Sequence, residues 1–195
     1  MFESCFKVNQ IMNKFGFSWF VAGGWAIDLF LERETRPHED IEIGIYRNSQ
    51  MKLYRYFEKN KKYYINNKSL IGKHIKTEWN KEYLRLPIHE IYIEFGDIEL
   101  EVLLNERDDD NWNYRRDEKI KLEENLAIQY SEGGIPYLCP EIVLLYKTKD
   151  IREKDFEDMK NAVTKMSDSQ KDWLINSISD SAIKEKVRNL TTAST

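Results

Sequence analysis

The chain is poor in cysteine, has no long apolar run and carries no excess of positive charge. Cys5 and Cys139 are the only two thiols among 195 residues. That is too few for a disulfide framework, and they lack the spacing of a zinc site. With no secretory signal at the start, they predict a reducing cytoplasm. No stretch approaches the roughly 20 apolar residues of a bilayer-spanning helix. The formal net charge of −4 removes the broad electrostatic footprint of a general nucleic-acid binder and weighs against nucleic acid as substrate. A small or cationic substrate fits more easily, and a local basic patch remains compatible. No repeat and no low-complexity tract interrupts the chain.

What is present is bulky core material. Hydrophobic residues make up 41% and aromatics 13%, enough to outweigh the 33% charged and predict a folded globule. The length suits one domain, or a core with a small helical appendage. Phe2, Phe6, Ile11, Met12 and Phe15 form a helical stripe stopped by Gly16. Ser18 to Ala22 reads as a short buried strand that Gly23-Gly24 turns into a helix from Trp25 to about Leu31. After the charged loop around Pro37, Ile41, Ile43 and Ile45 alternate with Glu42, Gly44 and Tyr46 as a strand, Gly44 being its weak point. A helix over Ser49 to Lys59 follows, then weaker strands at Tyr63 to Ile65 and Gly72 to Trp79. Ile91 to Phe95 and Ile98 to Leu104 are stronger strands, joined by Gly96-Asp97 as a hairpin. Asp108 to Asp110 reads as a solvated acidic loop and Trp112 to Arg116 as an edge strand. Beyond Gly133-Gly134 and Pro136 the pattern turns helical, over Pro140 to Lys149, Arg152 to Met166, and from near Ser167 and Ser179. The expected organisation is an α/β (α+β) core over residues 1–130 and a helical segment over 131–195 packed on it.

Chemistry concentrates in residues 21–43, VAGGWAIDLFLERETRPHEDIEI. Asp40 and Glu42 are one residue apart, so on a strand both point to one face while Ile41 and Ile43 point to the core. Two acids on one face repel unless a cation lies between them, and Mg²⁺ suits carboxylates that share it with substrate phosphates. On that pair alone, a solvated acidic edge is the plainer reading. A Gly-Gly pair at a strand-to-helix turn lets backbone approach a phosphate, and the helix N-terminus adds N–H donors. Taken together, Gly23-Gly24, a helix, a loop and Asp-x-Glu on the next strand form a specific combination.

That combination resembles the signature of antibiotic nucleotidyltransferases, the aminoglycoside and lincosamide adenylyltransferase-like branch of the polymerase-beta-like superfamily. The similarity extends through WNYRRDEKI and PEIVLLYKTKDIREKDFEDM. It implies a nucleotidyltransferase-type mixed sheet with flanking helices. It implies an enzyme in which Asp40 and Glu42 hold Mg²⁺, with Gly23 and Gly24 at the nucleotide. Glu stands at Glu42 where the family often has Asp. A third acid orients or deprotonates the acceptor. Glu99 and Glu101 share a face, and Glu101, directly before Val-Leu-Leu, matches best, ahead of Glu99 and then Glu94. The co-substrate would be ATP or another NTP and the acceptor a small-molecule hydroxyl, an aminoglycoside or lincosamide among the candidates.

Of the tail cations Lys147, Lys149 and Arg152, Lys147 is the choice for a triphosphate contact, with a solvated helix-end charge as the alternative. His38 could orient a carboxylate, touch phosphate, or serve as a loop histidine held by a backbone bond. Ile142, Leu145, Tyr146, Trp25 and Trp173 read as core. Two competing functions remain open: nucleotidylation of RNA or protein, and a catalytically silent nucleotide-binding protein.

Overall fold

The computed structural model describes residues 1–68 and 74–193. Its mixed sheet runs in the order β4-β3-β5-β6-β2-β1-β10-β9, from β1 (Trp19–Val21), β2 (Ile41–Tyr46), β3 (Lys62–Lys68), β4 (His74–Glu78), β5 (Glu90–Phe95), β6 (Ile98–Asp108), β9 (Ile128–Tyr130) and β10 (Pro136–Leu138). β7 (Asn111–Asn113) pairs with the far end of β6, and β8 (Lys121–Glu123) with β7. β2–β6 and β1–β10 are parallel, whereas the other neighbours along the path are antiparallel. The helices are α1 (Glu3–Met12), α2 (Gly23–Leu31), α3 (Gln50–Tyr56), a single turn α4 (Glu124–Ala127), then α5 (Pro140–Lys147), α6 (Glu153–Val163), α7 (Asp168–Ser177) and α8 (Ser181–Ala193). This is the α/β architecture expected from the sequence.

Several boundaries differ from expectation for local reasons. α2 begins at Gly23 instead of Trp25, because the glycine pair forms its first turn. Asp40 lies one residue before β2 rather than on it. The helix expected over Ser49 to Lys59 is shorter, and a turn of 3-10 helix at Arg47–Ser49 precedes it. Gly72, the expected start of a strand, lies outside the described residues. β6 continues past Leu104, so Asp108 ends a strand and pairs with Lys121 at 2.5 Å, and only Asp109 and Asp110 form the turn. β7 stops at Asn113, short of the expected Arg116. The segment after Gly133-Gly134 first returns to the sheet as β10, between β1 and β9, before the helices start.

Two of these elements bear directly on the site. Nearly every residue of α2 is buried, as an all-round apolar helix must be, and it packs on α5, α6, β2 and β10. Gly44, the weak point of β2, faces the Phe20 ring across the β1–β2 ladder. A Cβ there would fall 2.0 Å from the ring, so the glycine is the space that the phenyl group fills. Cys5 and Cys139 are buried free thiols. Among the described residues no helix is long and apolar enough to cross a membrane.

Candidate active site

The two-residue Gly96-Asp97 loop sets Phe95 opposite Ile98, with Gly96 at φ 63° as such a hairpin demands. Counting back along that register puts Tyr92 beside Glu101 and Glu90 beside Leu103. On the other edge of β6, the parallel ladder pairs Glu101 with Glu42. Paired residues of a ladder point to the same side, so Glu42 and Glu101 meet on one wall of a cleft of about 410 Å³. That volume lies within the range of small-ligand sites. Glu90 joins the same wall. Glu99, also on that face, is exposed and ion-paired with Lys76 at 2.5 Å, and Glu94 is exposed near Lys61. Of the three candidate acids, therefore, only Glu101 lines the cleft.

Gly23 sits at the head of α2 directly against Glu42. Its φ is 59°, and an added Cβ would fall 1.5 Å from Glu42 Oε2. Ala22 N–H donates to the Glu42 carbonyl at 2.8 Å, fixing the start of α2 to β2. No side chain caps α2. Gly24 is equally confined: a Cβ would fall 2.3 Å from an Arg36 guanidinium nitrogen and 2.6 Å from His38 Cε1. Both glycines thus admit neighbouring side chains of this chain, a role beyond the phosphate approach that a Gly-Gly turn implies.

The acids are crowded. Burial, then the Asp40 charge, raises Glu42 above the ordinary carboxylate value. Burial, then Glu42, Glu90 and Asp40, pushes Glu101 up to about 8, partly offset by a hydrogen bond from Tyr92. Lys147 and Arg152 offset part of the repulsion at Glu42, and the negative charge that remains suits a divalent cation. Among the described residues no three His, Cys, Asp or Glu side chains form a ready-made metal cage. Mg²⁺ does not require one, because it binds through one or two carboxylates, waters and substrate phosphates. Glu42 lines the cleft, and Asp40, exposed one residue before β2, is near enough for its charge to raise Glu42; carboxylate oxygens of this kind are the donors that Mg²⁺ takes.

Another stretch of the lining is largely basic, with Asp150 and Asp155 among its cations. Lys147, Lys149 and Arg152 come from the end of α5 and the loop after it, and Arg115 and Arg116 from the loop after β7. The consecutive arginines of WNYRRDEKI were the available signal for the last two. Tyr146, expected in the core with Ile142 and Leu145, packs against it and also lines the cleft beneath both arginines, whose guanidinium carbons lie 5.6 and 5.3 Å from its ring centre. Lys147 is not a solvated helix-end charge. Its ammonium is 2.6 Å from Asp155 and 3.0 Å from Asp158, and its side chain is 10% exposed. Arg152 also holds Asp155, and Arg36 grips Asp158 through two bonds of 2.9 and 3.0 Å.

These partners give the two aspartates a signature in acid. Burial pushes both up. The Arg152 and Lys147 bonds to Asp155, and the Arg36 bond and Lys147 charge at Asp158, outweigh it and hold both below the usual range. Folded values below the unfolded ones stabilise the fold fully above about pH 4, and that contribution is lost as pH falls through the folded values. Asp158→Asn should accordingly show a lower melting temperature near neutrality but a shallower decline below about pH 4, measured by circular dichroism against the parent. Parallel declines would show that Asp158 is not held this way.

The chain resembles known proteins in fold and in sequence profile. Lincosamide antibiotic adenylyltransferase LnuA, solved with lincomycin bound, superposes with a TM-score of 0.58 at 18% identity, over 84% of this chain and 98% of its own. ANT(2'')-Ia in complex with adenylyl-2''-tobramycin gives 0.59 at 16% identity, over 97% and 95%. The solution structure of ANT(2'')-Ia gives 0.56 at 17% identity, over 96% and 87%. At such identities these likenesses speak for the fold. No curated protein sequence matches the chain significantly. The profile of the aminoglycoside-2''-adenylyltransferase family, however, matches residues 4–162, which is most of the chain. This chain is an enzyme of the aminoglycoside-2''-adenylyltransferase family.

Proposed function

We propose that the protein transfers a nucleoside monophosphate, AMP from ATP or that of another NTP, to a hydroxyl group of a small-molecule antibiotic. The observation that carries the reading is the β2–β6 register, which sets Glu42 beside Glu101 with Gly23 at the head of α2 against them. Asp40 and Glu42 would hold Mg²⁺, whose chemistry is to bind phosphate oxygens and neutralise their charge. Glu101 accepts the proton of the acceptor hydroxyl as its oxygen bonds to the α-phosphorus. The bond from that phosphorus to the β-phosphate oxygen breaks, and pyrophosphate leaves. The basic wall of Lys147, Lys149, Arg152, Arg115 and Arg116 supplies charge complementary to a triphosphate. The acidic wall of Glu42, Glu90 and Glu101 suits a cationic acceptor, and aminoglycosides or lincosamides are the acceptor class that the family and its solved relatives suggest.

The test is incubation with labelled ATP or GTP, Mg²⁺ and a panel of aminoglycosides and lincosamides. Pyrophosphate together with an antibiotic one nucleotidyl group heavier is expected. Failure with every antibiotic, by a folded protein that binds nucleotide, would overturn the acceptor class.

Lys147→Ala separates the nucleotide contact from the clamp on α6. Loss of a charge-assisted phosphate contact should weaken NTP binding by about 1.5–3 kcal/mol. The fold should not escape unharmed, because Asp155 and Asp158 lose a buried cation while each keeps an arginine. A loss of about 1–3 kcal/mol of stability is expected. Calorimetric affinity and thermal unfolding on one preparation distinguish the effects, and unchanged NTP affinity would leave Lys147 as a clamp alone.

A further inference from the structure

Asp40 lies one residue before β2. A side chain holds its backbone there: the Trp25 indole N–H donates to the Asp40 carbonyl at 3.0 Å. The indole is in turn stacked on the His38 ring, with centroids 4.3 Å apart and planes 30° from parallel. The His38 side chain is 4% exposed, and its Nε2 lies 2.6 Å from Oδ2 of the fully buried Asp28. Asp28 Oδ1 accepts from both the Thr35 N–H at 3.1 Å and the Thr35 hydroxyl at 2.6 Å. On its other side, His38 Nδ1 is 3.1 Å from Arg36, whose guanidinium can only donate. Nδ1 is therefore the acceptor, and Nε2 carries the hydrogen given to Asp28. Arg36 itself is anchored by Asp158 on α6.

A carboxylate in the middle of an all-apolar helix is costly unless something uses it. Here Asp28 tethers the loop between α2 and β2 at Thr35 and orients an imidazole, which in turn steers the indole that holds Asp40. We propose that Trp25, together with the Asp28–His38 pair, is a positioning device for Asp40, and that its product is the alignment of the acid pair. This rests on the reading of Asp40 and Glu42 as the metal-holding acids. None of the three residues needs to touch substrate, since each acts through the Asp40 backbone.

Trp25→Phe keeps the aromatic stack and deletes the indole N–H. Kcat should fall about tenfold or more, the usual cost of removing a partner that orients a metal ligand, with KM for the nucleotide little changed. The melting temperature should drop by only roughly 2–4 °C, as for one lost hydrogen bond in a chain of this size. Hydrogen exchange of the metal-free protein over residues 38–43 should quicken, with no change in β5 or β6. Asp28→Asn is the second variant. Its amide can offer oxygen to the His38 Nε2 hydrogen or to the Thr35 N–H but not to both, so it should quicken exchange over the same residues even where Trp25→Phe does not fold. Unchanged exchange in both variants, or an unchanged kcat in an otherwise active enzyme, would overturn the proposal. An inactive parent protein would defeat the functional reading alone, because the exchange measurement needs neither metal nor substrate.

Discussion

Glu42→Gln is expected to stop nucleotidyl transfer while raising the melting temperature of the metal-free protein. The two effects have one cause. Glu42 is pressed between the head of α2 and Glu101, its charged form is disfavoured by burial, and Asp40 adds repulsion. An amide of the same shape removes that charge and relieves Glu101, so the fold gains. The same change deprives the cation of a ligand. In a reaction driven by positioning and charge neutralisation, the loss should be about 3–4 kcal/mol in the barrier, a few hundredfold in rate. Asp40→Asn should behave similarly, with little loss of stability. An acid kept for structure would do the reverse, lowering stability first and activity only as a consequence. Pyrophosphate release and thermal unfolding on the same sample separate the cases, and near-normal turnover by either variant would remove these acids from the mechanism.

Gly23→Ala should cost both stability and activity, and more stability than any other single change considered for this site. A Cβ at φ 59° is strained by about 1–2 kcal/mol before any contact is made. It would also stand 1.5 Å from Glu42 Oε2, so either that carboxylate or the first turn of α2 must move. Overpacking of this kind adds about 1–3 kcal/mol. With each kcal/mol worth roughly 2–4 °C in a chain of this length, the melting temperature should fall by about 10 °C. Gly24→Ala pushes instead on Arg36 and His38, whose ends are tied to Asp158 and Asp28. It should harm activity more through the Asp40 loop than through Glu42. If Gly23→Ala folds with normal stability and turns over normally, the close packing of Glu42 on the helix head has no functional weight.

What could be read from the sequence was whatever depends on near neighbours. The hairpin of β5 and β6 follows from Gly96-Asp97, because a two-residue loop dictates the register for the whole pair. Tyr92 could have been placed beside Glu101, and Glu90 beside Leu103, by that counting alone. Gly23-Gly24, Asp40 and Glu42 were legible because a turn glycine and a period of two leave marks within a few residues. The cap of α7 by Ser167, with Gln170 closing the box, was equally local.

Other features had no local mark. The parallel pairing of β2 with β6, which selects Glu101 over Glu99, joins strands far apart in the chain and is decided by which apolar faces bury together. β10 between β1 and β9 was missed because three buried residues before a proline-led helix carry no period to detect. For Lys147 the sequence offered a triphosphate contact or a solvated helix-end charge but no ion pair, yet α6 folds back to lay Asp155 and Asp158 against it. Asp28 and His38 meet because α2 and the following loop curl onto each other, and a single polar residue in an apolar helix does not name its partner. The sequence by itself determined the family signature and the fold class, because the residue types and short spacings that carry them are local. The tertiary structure decided which acid lines the cleft with Glu42, which cations share it and which side chains brace Asp40, since charges far apart in a chain become partners only when burial of the surrounding surface brings them together.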